Sequence, residues 1–166
     1  MAVAEIIGSA IGTMLLIVVA YLLVGSVLNT AEVVTNAQRD ITLLQSAMLN
    51  TDIQIAYEGI DGQPLNPALN FTVTNTGNQV ISDFDHATIF SYTTADPGYK
   101  PYVFKKVNTL SDGTWTVVRI EKDYVHPNQL DPGETMWVLA YYTPGATNPV
   151  WFEFCTNNGV YASTVI

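Results

Sequence analysis

Hydrophobic and polar positions divide this chain into three stretches. From Ile6 to Ala31 no residue is charged, a run of 26 residues (31 − 6 + 1). As a helix rising about 1.5 Å per residue it covers roughly 39 Å. A bilayer core is about 30 Å thick, so the run predicts a membrane-spanning helix. Beyond Ala31 the apolar positions thin to a stripe, Val34, Ala37, Ile41, Leu44 and Met48, at spacings of 3, 4, 3 and 4. Polar residues such as Asn36, Gln38, Arg39, Asp40 and Gln45 fill the gaps. This predicts that the helix continues above the membrane as an amphipathic rod with a narrow seam, stopping near Asn50. A narrow seam is what a second copy needs for coiled-coil contact; packing on the chain's own domain is the competing use.

From Asp52 the apolar period changes from helical to two. Ile53, Ile55 and Tyr57 alternate in "DIQIAY", and Leu69, Phe71 and Val73 in "LNFTV". "HATIFSY", "YVFKKV", "WTVVRI", "TMWVLAYY", "WFEFCT" and "GVYASTVI" follow. Turn signals separate them at Asp61-Gly62, Thr76-Gly77-Asn78, Asp96-Pro97-Gly98, Asp112-Gly113, Asp131-Pro132-Gly133, Pro144-Gly145 and Asn158-Gly159. Seven or eight short strands at this spacing predict a sandwich of two antiparallel sheets. Trp115, Trp137, Phe152 and Phe154 are its expected core aromatics, and Asn158-Gly159 reads as a two-residue hairpin turn. The fold class expected is α+β: one long N-terminal transmembrane helix in residues 1–50, then an all-β sandwich in residues 51–166.

Charge narrows the partners. From Val33 onward 13 acidic residues face 6 basic ones, a net of −7 (6 − 13). Nucleic acid is excluded, because phosphate binding needs clustered Lys and Arg, and only Lys105 and Lys106 are adjacent. The nearest basic residue to the apolar run is Arg39, too sparse a signal to orient the span, although an acidic domain of this size is compatible with export. The single cysteine, Cys155, has no partner for an internal disulfide and reads as a buried, inert thiol.

Candidate chemistry is thin. The two histidines, His86 and His126, stand apart. If "SDFDH" is extended, Asp83 and Asp85 share a face and His86 points away, so a solvated loop is expected rather than a cation site. There is no Gly-x-Ser-x-Gly elbow, phosphate-cradling glycine loop or Cys-x-x-Cys. Glu153 alternates with Phe152 and Phe154 and should face solvent. Neither an enzyme nor a cofactor nor a metal is implied. Asn70-Phe71-Thr72 is the one glycosylation sequon, usable only on an external face.

Two features sharpen the N-terminal helix. Gly8 and Gly12 form Gly-x-x-x-Gly, which lets helices approach closely in lipid. Glu5 stands in the expected first turn, where a carboxylate is favoured by the helix dipole. No basic residue precedes the run, and the run is long for a cleaved signal, so a retained anchor is expected first, a filament-packing helix second and a signal peptide last.

The order of short motifs carries a resemblance. "MAVAEIIGSAIG" leads into the apolar helix, followed by "LLQSAMLNTDIQI", "FTVTNTGNQVIS", "LDPGETMWVLAY" and a terminal "NNGVYAS". The chain resembles the archaellum accessory proteins of the F and G type, with the F type preferred. The similarity runs along most of its length and is strongest at Asn75-Thr76-Gly77, Pro132-Gly133-Glu134 and Asn158-Gly159-Val160. The resemblance implies a membrane helix carrying an immunoglobulin-like sandwich outside the membrane. It also implies a stator role, with the sandwich gripping surface-layer protein or a sister accessory subunit. The segment from Val80 to Asn108 departs from that pattern. The alternative is a pilin- or archaellin-like filament subunit, in which Glu5 would pair with a neighbour's terminal amine.

Overall fold

The computed structural model describes residues 2–61, 67–95, 97–106, 111–143 and 147–166. The chain forms two compact units, Met1–Leu44 and Gln45–Ile166. The first is helix alone, the greater part of α1 (Ala2–Asn50). It is long and apolar enough to cross a membrane. Three hydroxyls of its apolar run are bonded within the helix: Ser9 Oγ donates to the Ile6 carbonyl at 2.9 Å, Thr13 Oγ1 to Ser9 at 2.6 Å and Thr30 Oγ1 to Ser26 at 2.9 Å. A serine or threonine that bonds the preceding turn brings no unpaired polar group into lipid. The polar stretch above behaves alike, with Thr35 bonded to Ala31 and Thr42 to Gln38, both at 2.8 Å.

The second unit begins with the last turn of α1. Two residues later β1 (Ile53–Asp61) starts, followed by β2 (Ala68–Asn75), the 3₁₀ turn η1 (Phe84–His86) and β3 (Thr88–Tyr92). Then come β4 (Tyr99–Phe104), β5 (Thr114–Glu121), β6 (Thr135–Tyr141), β7 (Trp151–Cys155) and β8 (Tyr161–Val165). All eight expected strands form. Those around Asp61 and Val107, and the turns expected at Gly62, Asp96 and Pro144-Gly145, run into positions outside the described residues.

The strands follow the order β1-β2-β6-β5-β4-β3-β7-β8. β1-β2-β6-β5 make one layer and β4-β3-β7-β8 the other. One expectation needs correction: the sandwich is not purely antiparallel. β4 and β5 join the layers through a short parallel pairing, Val103 with Thr114 and Phe104 with Trp115. At the opposite side β1 and β8 lie against each other without pairing, so the sandwich is nearly a closed barrel. Edges turned toward each other are poor templates for a foreign strand.

The core fills the space between layers. Leu69, Phe71 and Val73 point inward from β2, Met136 and Val138 from β6, and Phe152 and Phe154 from β7, all fully buried. Phe71 meets Phe152 across the layers at 4.6 Å between ring centres. Trp115 is boxed by Phe104 at 4.8 Å and the edge of Phe154 at 5.6 Å, and its buried indole N–H has no acceptor among the described residues. Trp137 corrects the predicted core. Alternation turns it outward, where its N–H donates to Glu121 Oε1 at 2.7 Å and Arg119 lies 4.7 Å above its ring.

Candidate interaction surface and helix joint

The three motif turns singled out in the sequence meet at the end of the sandwich where the helix enters. α1 ends with its C-terminal carbonyls unpaired by helix geometry. Asn50 O instead accepts the N–H groups of Asn78 at 2.7 Å and Gln79 at 3.0 Å. Asp52 O accepts those of Thr76 and Gly77 at 2.9 and 3.0 Å, and its side chain takes the Thr76 hydroxyl at 2.8 Å. Gly77 is required here by close approach: a Cβ on it would fall against Asp52 N and 2.6 Å from Asn50 O. Both are backbone atoms and cannot turn aside.

Asn75 locks this turn to its neighbour. Its fully buried amide donates to Gln79 O at 2.8 Å and Leu130 O at 2.9 Å, and accepts from Gly77 N at 3.1 Å. Its backbone exchanges bonds with the second motif, Asn75 N to Glu134 O at 3.0 Å and Gly133 N to Asn75 O at 2.8 Å. Within that motif Glu134 Oε2 accepts Asp131 N at 3.0 Å, while Asp131 Oδ1 lies 2.7 Å from His126 Nδ1. From the third turn, Asn158 Nδ2 donates to the buried Thr51 hydroxyl at 2.7 Å, and Gly159 faces the Met48 methyl. That turn is not the two-residue hairpin expected. The loop runs from Thr156 to Val160, with Thr156 N bonded to Val160 O at 2.9 Å.

A second feature covers the outer face of β4-β3-β7-β8. Register aligns Tyr99, Tyr92, Trp151 and Val165 in one row across the four strands. Tyr99 packs on Tyr92 at 5.8 Å and edge-on to Trp151 at 5.5 Å. The next row is Pro101, Phe90, Glu153 and Ser163. Tyr99 is 70 % exposed and Val165 74 %. Glu153 faces outward, as alternation requires, and makes no hydrogen bond or ion pair among the described residues. Cys155 also lies on this face and is half-buried rather than buried. Burial, and then the neighbouring Glu153 charge, push its thiol pKa up, which favours the protonated form.

The remaining expected positions are scattered. The Asp83–His86 segment is not extended: η1 folds back so that His86 Nδ1 lies 2.8 Å from Asp83 Oδ2, both exposed. Asp85 is exposed, and no group of three potential metal ligands occurs among the described residues. Lys105 and Lys106 are exposed in the loop after β4. Asn70 is half-buried in β2, between Gly59 and Leu139 of the neighbouring strands. Gly8 and Gly12 sit one turn apart on α1 with open space around each, and Glu5 occupies its first turn. Val34, Ala37, Ile41 and Leu44 continue along the same helix. The sequence marked the three turns but not their convergence, because the contact that makes Gly77 indispensable belongs to residues 25 and 27 positions away (77 − 52 and 77 − 50).

No curated protein matches the chain. Among solved structures it is similar to the archaellum periplasmic stator protein FlaG from Sulfolobus acidocaldarius, at 19 % identity and a TM-score of 0.46, over 69 % of this chain and 100 % of that one. It is similar too to the complex of the periplasmic stator proteins FlaF and FlaG from the same organism, at 20 % identity and a TM-score of 0.46, over 68 % and 88 %. The model of the archaeal-type flagellin family matches residues 4–166, and the chain belongs to that family, as a non-enzymatic component of the archaeal motility machinery.

Proposed function

We propose that the chain is a membrane-anchored stator subunit whose sandwich, outside the membrane, holds a surface-layer protein or a sister subunit. The observation that carries this reading is the change of character along α1. It is charge-free from Ile6 to Ala31, and beyond Ala31 it carries Glu32, Asn36, Gln38, Arg39, Asp40 and Gln45 around the Val34–Met48 seam. A helix buried along its whole length in a filament core has no use for a polar circumference; a span in lipid followed by a stalk in water needs one. The joint supports the same role. Load on the sandwich passes into the last helical turn through backbone hydrogen bonds rather than through a slack linker.

The stalk seam supplies self-association. Replacing Ile41 and Leu44 with Asp removes two apolar side chains from it, each worth roughly 1.5–3 kcal/mol when buried. The doubly substituted protein in detergent should run as a smaller assembly while keeping its β-sheet circular dichroism.

Glu5 and the family description favour a second reading, a filament subunit assembled through α1. Shearing cells and separating filaments from membranes decides between them. The stator reading expects the chain in the membrane fraction, released by detergent; recovery in sheared filaments would transfer the assignment to the filament reading.

A further inference from the structure

We propose that the aromatic outer face of β4-β3-β7-β8 is the docking surface of the sandwich, and that its occupant is a different protein chain presenting a lysine or arginine to Glu153. The proposal rests on the reading that the sandwich works by holding a partner.

The face has the composition of an interface centre. Trp151, Tyr92, Tyr99 and Phe90 stand together on it, and aromatic side chains dominate the buried centres of protein contacts. Their packing on one another fixes their positions before any partner arrives, which lowers the entropy lost on docking. The other outer face is different in kind. There Thr74 bonds Thr135 at 2.9 Å, and Trp137 is engaged by Glu121 and Arg119. Several of its polar groups are spent on one another.

Glu153 selects the occupant. It lies between Phe90 and Ser163 in register, with Trp151 and Cys155 two residues away on the same face. Any chain covering the aromatics covers this carboxylate. A second copy meeting the face about a two-fold axis would bring one Glu153 toward the other, because a symmetric contact places the centre of a patch against itself. Two carboxylates desolvated together repel, and a net charge of −9 on each copy adds to the repulsion. A cationic side chain instead neutralises the carboxylate and lies over electron-rich Trp151 and Tyr92 ring faces. Charge complementarity therefore disfavours a two-fold contact between copies through this face and favours a basic, apolar patch on another chain.

The test uses the full-length chain in its native cells, with the photo-cross-linking residue p-benzoylphenylalanine replacing Tyr92 on the aromatic face or Trp137 on the other. Cross-linked chains are isolated under denaturing conditions, and the joined peptides identified by mass. The expected result is an adduct from position 92 with a different chain, the joined peptide region carrying Lys or Arg. Its yield should fall at least about tenfold with Glu153→Lys and less with Glu153→Gln, at equal cellular abundance. Changing the identified partner cation to Glu should restore the Glu153→Lys yield. An adduct of two copies of this chain, a yield indifferent to Glu153→Lys, adducts from position 137 alone, or no adduct from either position would overturn the proposal. Fractionating the same cells keeps the two readings apart. A chain found in sheared filaments overturns the stator assignment, while a Glu153-dependent foreign adduct still upholds the docking face.

Discussion

The helix joint and the aromatic face belong to one sandwich and treat their functional groups in opposite ways. At the joint nearly every donor and acceptor is matched within the chain, and Gly77 leaves no room for another atom. On the face large rings and one carboxylate stand without such closure. Substitutions at the joint should therefore cost folding stability, whereas substitutions on the face should cost binding and leave folding nearly untouched. On the proposed stator reading, the part that would carry load is closed before a partner arrives, and the part that would hold a partner is left open.

The largest effect expected is at Gly77. Gly77→Ala forces backbone apart at Asp52 and Asn50, and overpacking against backbone costs typically about 1–3 kcal/mol, with this geometry toward the upper end. Equilibrium denaturation of the fragment Gln45–Ile166 should show that loss. A change below about 0.5 kcal/mol would mean that the turn relaxes freely and that the joint is not the closed structure described.

Next in size is the contribution of the helical turn itself. A fragment beginning at Gln45 keeps Asn50 and Thr51; one beginning at Asp52 loses the Asn50 carbonyl and the Thr51 hydroxyl, which serve Asn78, Gln79 and Asn158. Both fragments should be soluble and β-rich by circular dichroism, with the shorter less stable by about 1–3 kcal/mol, the worth of a few hydrogen bonds at about 1 kcal/mol each. Equal stability would remove the argument that the last turn belongs to the sandwich.

The face supplies the contrast. Tyr99→Ala with Trp151→Ala removes two partly exposed rings and should change stability by about 1 kcal/mol or less, the scale of an exposed aromatic pair. Phe152→Ala, one residue along the same strand but fully buried, should cost about 3–5 kcal/mol. Comparable losses from the two experiments would mean that the outer rings hold the sandwich together and are not held in reserve for a partner.

Much of this division was legible in the sequence, for reasons that differ by element. The helix announced itself because 26 charge-free residues admit few other structures, and the strands because alternation alone decides which side chains meet the core. Glu153 was readable as outward-facing from its neighbours Phe152 and Phe154. Trp137 was misread because bulk was given priority over parity, although it alternates with Met136 and Val138 and must face the other way. The 3₁₀ turn at Phe84–His86 broke the assumption of extended chain, since local bonding between Asp83 and His86 outweighed a weak strand pattern. The joint and the aromatic row were out of reach: each depends on which distant strands become neighbours, and a parallel β4–β5 pairing is not written in any one segment.

The smallest expected effect concerns that 3₁₀ turn, which lies off the aromatic face, while its Asp83 also meets the Asn157 side chain in the β7–β8 turn beside the joint. Asp83 bonded to His86 raises the histidine pKa above its ordinary 6.5, and the same bond lowers the aspartate below its ordinary 3.8. A histidine with a raised folded value contributes stability that is complete below about 6.5 and is lost as pH rises through that higher value. An aspartate with a lowered folded value contributes stability present above about 3.8 and lost as pH falls through the lower one. The pair therefore contributes fully between those two ordinary values, and solvent screening keeps the contribution small because both side chains are well exposed. His86→Ala should lower the melting temperature slightly in that window, and the difference from wild type should vanish at higher pH. Observed by NMR, the His86 ring should titrate at a higher midpoint in the intact protein than in Asp83→Asn. The same substitutions should leave cross-linking from position 92 unchanged, since neither residue stands in the aromatic rows of β4-β3-β7-β8. A loss of cross-linking with His86→Ala would extend the docking surface to η1 and blur the separation between a finished end and an open face.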